Sequence, residues 1–295
     1  MIRAIYIAIL LFLPALASGQ LTNTFKAYKA YQEDDLPAAK AYIDSAIVDD
    51  TEKEEAQTWY IRGFIYKEIY KITDKQSRDS EAREEAIRSF KKSIELDADS
   101  EFRKQNRQGI KYLASSYYND GVMTLNPKEY EESADFYKRY KGLILFLEPE
   151  KDFKEQDIEY YNALGSMLNQ NYEKDKDRYE HLFSEAEKSF SRTLKMNPDN
   201  LLANNALGVM YYNKGVDLIL SLDPFAPLED LNRTQDKCVT IFKTAKPFLE
   251  KAHQMDPTNC EIITGLEGIS FNLNDRDEVK FWHDKLVELG CAVDE

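Results

Sequence analysis

Residues 186–211 read AEKSFSRTLKMNPDNLLANNALGVMY, and this stretch determines the expected fold. Ala186 and Phe190 stand four positions apart, which is the spacing of neighbours on one face of a helix. Pro198 then ends that helix, because its ring nitrogen has no hydrogen to donate. A second helical pattern follows, with the small residue Gly208 in it. The stretch therefore predicts the end of one helix and the start of the next.

The same two patterns recur along the chain. In the second-helix pattern, an alanine is followed four positions later by a large apolar residue and seven positions later by a small one. Its copies are Ala39/Ile43/Ala46, Ala86/Phe90/Ser93, Ala186/Phe190/Thr193 and Ala245/Leu249/Ala252. The first-helix pattern has copies at Gly63, Gly165 and Gly208 and a degenerate copy at Ile110, Leu113, Ala114 and Tyr117. A pattern repeated in one register predicts stacked antiparallel helix hairpins.

These motifs resemble the tetratricopeptide repeat (TPR), whose pattern is W-x2-L-G-x2-Y, then A-x3-F, then P. The resemblance implies an all-α, TPR-type α-solenoid, a right-handed superhelix of antiparallel hairpins, several with extended helices or inserted loops. It implies a single superhelix over 20–295, with approximate repeats at 20–51, 56–98, 107–149, 158–198, 201–257 and 260–291. The unit YYNKGVD … PFLEKAHQMDP also resembles exported TPR proteins of Bacteroidetes, over that one repeat.

The longest departure from the minimal motif is an insertion at 209–244. It contains Phe225 and Leu228 next to prolines. Apolar residues in a loop either shield a core or dock a partner, and the sequence favours packing as the commoner case.

The amino-terminal segment has the pattern of a secretory signal peptide over 1–19. Arg3 precedes an apolar run from Ile5 to Leu16, and small residues follow. Cleavage is expected after Ala17 or Gly19, and the latter is favoured. The alternative, an uncleaved anchor, is disfavoured because the run is shorter than a membrane span. No lipoprotein cysteine stands at the exit, so we expect a soluble protein of the periplasm or extracellular space, without a transmembrane segment after cleavage.

Composition narrows the function classes. The chain carries 39 Lys and Arg against 53 Asp and Glu, a formal net charge of −14. An acidic surface repels phosphate backbones, so the sequence predicts no nucleic acid partner. No hydrolase, zinc-protease, P-loop or dinucleotide motif occurs, so we expect no enzyme, no catalytic residue and no cofactor. The three His and three Cys are too widely spaced to predict a metal site.

The cysteines allow one bridge in an exported protein. Cys260 opens the first helix of the last predicted hairpin and Cys291 follows its second helix. Antiparallel helices bring these ends together, so a disulfide is one hypothesis and two ordinary thiols are the other. Cys238 is expected to be unpaired.

The TPR resemblance also implies a binding groove, because in this family the first helices line a concave face that commonly takes an extended peptide. Amide side chains there would both donate to and accept from a peptide backbone. The sequence therefore predicts a non-catalytic interaction scaffold or adaptor for an unknown protein or peptide. The alternative is a glycan- or nutrient-binding accessory protein of the cell envelope. The predicted groove residues are Tyr60, Phe64, Lys67, Lys111, Ser115, Tyr118, Asn119, Asn162, Ser166, Asn169, Asn205, Tyr212 and Asn213.

Overall fold

The computed structural model describes residues 21–223 and 225–291, and every regular element in these ranges is a helix. The prediction of an all-α fold is confirmed. The expected signal peptide lies outside the described residues. The α-helices are α1 (Asn23–Gln32), α2 (Leu36–Ala46), α3 (Ala56–Glu68), α4 (Glu81–Leu96), α5 (Arg103–Met123), α6 (Tyr130–Leu147), α7 (Lys154–Lys174), α8 (Glu180–Met196), α9 (Leu201–Leu220), α10 (Leu228–Met255), α11 (Cys260–Asn272) and α12 (Arg276–Glu288).

The chain forms two compact units. Unit 1 takes the described residues up to Tyr118 together with Gly142–Leu147, and unit 2 takes Asn119–Lys141 and the described residues from Glu148 onward. The single superhelix over 20–295 that the sequence predicts stays a prediction. The division falls inside α5 and α6, so no change of composition or linker marks it in the sequence.

Each unit is built from TPR-like helix hairpins. Helices α1–α2 and α3–α4 pair in unit 1, and α7–α8, α9–α10 and α11–α12 pair in unit 2. The second helix of a hairpin also contacts the first helix of the next, as α8 does with α9 and α10 with α11. These five hairpins span 23–46, 56–96, 154–196, 201–255 and 260–288.

The aligned repeat positions form the core of the hairpins. Ala186 and Phe190 are buried in a cluster with Leu168 and Leu182 of the same hairpin. Gly208 allows α9 to approach α10 closely, since a Cβ there would lie 2.5 Å from the side chain of Leu249. The spacing read from the sequence thus marks where two helices touch.

The insertion at 209–244 is mostly helical and lengthens one hairpin. Helix α9 continues to Leu220, and α10 has 28 residues. Phe225 is 94% exposed and Leu228 is 72% exposed. The expectation that these two residues pack against their neighbours is therefore wrong, because the hairpin extends past the residues that could cover them.

The last hairpin is closed covalently. Cys260 and Cys291 form a disulfide, with Cα atoms 5.9 Å apart. Gly290 has a positive φ of 70°, which turns the chain after α12 so that the Cys291 amide donates to the Leu286 carbonyl at 2.8 Å. Cys238 is a free, buried thiol. Within the described ranges, no helix is both long and apolar enough to span a lipid bilayer.

Candidate functional site

The groove residues predicted from sequence are divided between the two units. Tyr60, Phe64, Lys67, Lys111, Ser115 and Tyr118 belong to unit 1, and Asn119, Asn162, Ser166, Asn169, Asn205, Tyr212 and Asn213 belong to unit 2. Each unit therefore presents its own face, and the two faces differ in chemistry.

Unit 2 presents an asparagine face, formed by Asn162 and Asn169 of α7 and Asn205 of α9. The two α7 residues are seven positions apart and so lie on one side of that helix. Helix α9 packs beside α7. All three side chains are partly exposed. The face is thus a row of carboxamides on adjacent first helices, as the repeat register predicts.

The side-chain oxygens of this face have no hydrogen-bond donor. The Oδ1 atoms of Asn162, Asn169 and Asn205 are enclosed by protein and accept no hydrogen bond from any described residue. An enclosed, unsatisfied acceptor costs about 1–3 kcal/mol of folding free energy. Native proteins contain few such groups, and each one calls for an explanation. Three of the enclosed side-chain atoms without a partner among the described residues lie on this face, which makes it the candidate surface for a ligand that donates hydrogen bonds.

Ser166 is partly exposed, and Tyr212 and Asn213 of the unit 2 face have partners of their own. The Asn213 amide donates to Glu173 Oε1 at 3.4 Å, and Lys176 forms an ion pair with Glu173 at 3.1 Å. Tyr212 reaches α11, where a Cβ on Gly268 would lie 2.5 Å from its hydroxyl oxygen. Burial, and secondarily the Glu267 carboxylate, raise the pKa of Tyr212. These residues bound the asparagine face, and their contacts hold its shape.

Unit 1 presents an aromatic face. Tyr60 is only 2% exposed, because Phe102 stacks on it at 4.7 Å and Phe64 meets it edge-on at 5.0 Å. Tyr60 is therefore a core residue in place of the groove contact that the sequence predicted. Lys67 lies with its ammonium 4.3 Å from the Phe64 ring centre and 3.5 Å from Glu68 Oε1. Burial lowers the pKa of Lys67.

Sequence reasoning missed the tyrosines that complete this aromatic face. Burial raises the pKa of Tyr31 in α1 to about 12, and the Glu68 carboxylate adds to the rise. Burial also raises the pKa of Tyr112 in α5, with smaller effects from Tyr70 and Glu68. Glu68 therefore influences tyrosines of both neighbouring first helices. The repeat register contained the signal for Tyr31, which follows the small Ala27 by four positions as Lys67 follows Gly63, whereas Tyr112 lies at none of the register positions used to predict the groove.

The other predicted positions are exposed on α5. Lys111, Ser115 and Tyr118 are exposed in unit 1, and Asn119 is exposed in unit 2. The Ser115 hydroxyl donates to the carbonyl of Lys111 in its own helix at 3.0 Å. These side chains are accessible, and within each unit they add polar groups to the rim of its face.

Comparison with known proteins gives a fold likeness alone. No family model matches the chain, and no curated protein sequence matches it. A monomeric mutant of IFIT1 with Gppp-AAAA is similar at 15% identity and TM-score 0.34, over 91% of this chain and 59% of the IFIT1 chain. The human IFIT1 dimer with m7Gppp-AAAA is similar at 14% identity and TM-score 0.31, over 90% and 58%. The chain spans less than two thirds of the length of IFIT1. The narrower resemblance to exported proteins of Bacteroidetes remains a prediction.

One expectation from composition is corrected by these neighbours. The sequence predicted no nucleic acid partner from the net charge of −14. The similar IFIT1 structures were determined with m7Gppp-AAAA and PPP-AAAA, which are nucleic acid ligands. Net charge sums the whole surface, whereas binding depends on local groups, such as the exposed Lys104 and Lys111 of α5. The acidic net charge is therefore no ground for excluding nucleic acid.

Proposed function

We propose that this chain is an exported, non-catalytic binding scaffold that holds an extended peptide segment on the asparagine face of unit 2. The observation that carries the proposal is the set of three enclosed Oδ1 atoms of Asn162, Asn169 and Asn205, which lack donors. A peptide in extended conformation presents backbone N–H and C=O groups that need partners once water is removed. Carboxamides supply both kinds of partner.

Rotation of the asparagine side chains couples binding to relief of an unfavourable state. In the free protein the Oδ1 atoms of Asn169 and Asn205 are enclosed without a donor, so turning either toward a ligand N–H replaces an unsatisfied acceptor by a hydrogen bond. Asn162 gains less, because its amide already donates to Asn200 Oδ1 at 3.3 Å. The neighbouring Asn213 is already engaged by Glu173 and gains less by turning. The asparagine face therefore recognises main chain more than side chains, which suits a scaffold with a range of clients.

Peptide display followed by alanine substitution tests this function. Peptides selected on the purified chain are measured by calorimetry against the Asn169→Ala and Asn205→Ala variants. Each variant is expected to weaken binding about tenfold, the loss typical of a buried hydrogen bond at a recognition site. Gln254→Ala removes an exposed amide from α10 and is the matched control, expected to leave affinity unchanged. Peptides that bind all three variants equally well would contradict the assignment of the asparagine face.

Export is part of the same proposal. It is supported by the signal-peptide pattern of residues 1–19 and by the disulfide between Cys260 and Cys291, since disulfides persist in oxidising compartments. Amino-terminal sequencing of the protein from its own cells is expected to begin at Gln20. A chain that retains Met1 and is recovered with two alkylatable thiols at 260 and 291 would count against export.

The aromatic face of unit 1 favours one alternative, a glycan- or nutrient-binding accessory protein of the envelope. Partly exposed Tyr28, Tyr31 and Tyr112 offer flat apolar rings with polar tips, which suit sugar rings. Binding to an oligosaccharide array that is lost in Tyr112→Ala but kept in Asn169→Ala would favour this alternative. Binding of a selected peptide that is lost in Asn169→Ala but kept in Tyr112→Ala would favour the scaffold.

A further inference from the structure

The turn between α9 and α10 carries three strongly exposed apolar side chains, which we call the hairpin tip. Leu220 is 77% exposed, Phe225 is 94% exposed and Leu228 is 72% exposed. Large apolar residues clustered at one exposed point are unusual on a soluble surface and mark interaction sites. The feature is separate from the asparagine face, and the proposed peptide binding does not use it.

The outer part of this hairpin adds little to the core. Val216 and Leu218 still pack against the core cluster, but between Gly215 and Cys238 no described residue is buried. Turns that bury so little stabilise the fold weakly, so their length calls for another purpose. They place the hairpin tip beyond the last residues that pack on the core.

The hairpin tip is ordered by local hydrogen bonds. The Phe225 amide donates to Asp223 Oδ1 at 2.9 Å, and the Ala226 amide donates to the Asp223 carbonyl at 3.0 Å. Pro227 precedes the first residue of α10 with φ of −54°, the angle its ring imposes. A loop fixed in advance loses little conformational entropy when it binds. Phe225 is thus presented to solvent as an aromatic side chain, the residue class that dominates interface hot spots.

The charges around the hairpin tip define its partner. Asp223, Glu229 and Asp230 surround the apolar residues, and the first basic residue on α10 is Arg233, which pairs with Asp230. An acidic rim is repelled by anionic lipid surfaces, which attract basic segments. We propose that the hairpin tip docks into an apolar pocket of a partner protein whose rim carries Lys or Arg.

An adjoining cleft gives the partner further surface. An open cleft of about 740 Å³ begins at Glu229, next to Leu228, and follows α10 inward. Its lining combines the apolar Leu218 and Ile241 with polar and charged residues of both signs, which include Lys214, Arg233, Asp236 and Lys237. The contact therefore extends from the anchor residues along α10, which a tip of three side chains would not provide alone.

Site-specific photo-cross-linking tests this proposal in the cells that make the protein. A benzophenone side chain is placed at position 225 and, as the matched control, at Phe271, which is 72% exposed on α11 of the same unit. The expected result is a protein adduct several-fold stronger at 225. Peptide mapping should place it on an apolar segment flanked by Lys or Arg. Lipid adducts, adducts to a second copy of this chain, or equal labelling at both positions would overturn the proposal.

Affinity measurements with the purified, mapped partner complete the test. Phe225→Ser is expected to weaken binding about tenfold, as truncation of an aromatic anchor does, while Phe271→Ser leaves it unchanged. Asp223→Asn and Glu229→Gln are expected to slow association, and raised salt is expected to do the same in the parent chain. Because Phe225 is exposed, its replacement leaves the helical content intact. Unchanged affinity in Phe225→Ser with unchanged helical content would also overturn the proposal.

Discussion

At Gly165 the main chain of α7 lies directly against the ring of Phe190 in α8. A Cβ on this glycine would be 2.9 Å from both Cε1 and Cζ of the ring. Carbon atoms do not approach so closely, so α7 and α8 can sit at this distance only while position 165 lacks a side chain. The glycine of the repeat motif is thus required by the packing of its own hairpin.

Gly165→Ala is expected to lower the free energy of unfolding by about 1–3 kcal/mol, the usual cost of overpacking a filled core. A urea titration monitored by circular dichroism measures this free energy of unfolding. Gly142→Ala is the control, because nothing lies within 4 Å of a Cβ built at Gly142 in α6. That substitution is expected to stabilise by about 0.5–1 kcal/mol through helix propensity. Equal changes in the free energy of unfolding for the two variants would show that helix propensity determines both changes.

Arg62→Leu is expected to destabilise unit 1 by about 1–3 kcal/mol, since it removes a buried cation that is hydrogen-bonded to Glu85 and to Ser89. The Arg62 side chain is 6% exposed, pairs with Glu85 at 2.8 Å and lies 4.3 Å from the Tyr66 ring centre. Arg88 pairs with the same carboxylate at 2.6 Å but is 69% exposed. Arg88→Leu, measured in the same urea titration, is expected to change stability by less than about 1 kcal/mol. Similar losses in both variants would contradict the role of burial.

Removal of the Cys260–Cys291 disulfide is expected to cost about 3 kcal/mol, because the closed loop of some thirty residues gains freedom only when unfolded. The double variant Cys260→Ala/Cys291→Ala is compared with the parent chain in thermal melts with and without reductant. Reductant should lower the melting temperature of the parent alone. A double variant that still responds to reductant would show that another bond is involved.

Alkaline pH is expected to weaken unit 1 between pH 10 and 12. Burial raises the pKa of Tyr31 and of Tyr60 from 10.0 to about 12. The unfolded chain therefore releases these protons first, so stability is complete below pH 10 and falls as the pH rises toward 12. Absorbance at about 295 nm follows phenolate formation, and Tyr31→Phe should reduce the slope of stability against pH. A slope unchanged by that variant would refute the assignment.

Asn169→Ala is expected to raise the free energy of unfolding by up to about 1 kcal/mol, contrary to most truncations. The substitution removes an acceptor without a donor and adds helix propensity. Asn213→Ala, which breaks the hydrogen bond to Glu173, is expected to lower it. Differential scanning calorimetry measures the stability of the two variants. A loss of stability in Asn169→Ala would mean that the Asn169 side chain supports the fold.

Sequence periodicity predicts the helices and their pairing because each motif residue contacts its own hairpin. Gly208 meets Leu249 as Gly165 meets Phe190, because each residue holds the same motif position in its hairpin despite the different separation along the chain. The hairpin insertion is different, because no pattern shows whether a loop residue such as Phe225 has a neighbour. The division into two units is hidden for a related reason, since it falls inside helices whose local pattern is unbroken.

The candidate site was predicted in part. The register places Asn162, Asn169 and Asn205 on first helices, where they are partly exposed and their Oδ1 atoms are enclosed. The register could not predict that Tyr60 is covered, because the covering residue, Phe102, belongs to no repeat motif and precedes α5. Contacts made by residues between motifs therefore limit what a repeat pattern can predict about a binding face.

Helix α10 is continuous, but its inner and outer turns are expected to unfold separately. Near Phe242 its amide hydrogens are sealed by the core, whereas toward Leu228 they are protected by the helix alone. The outer turns can melt and reform without opening the inner ones, so their amides exchange with solvent far sooner. A partner that pulls on the hairpin tip would therefore unwind these outer turns before it disturbs the inner turns and the core of unit 2.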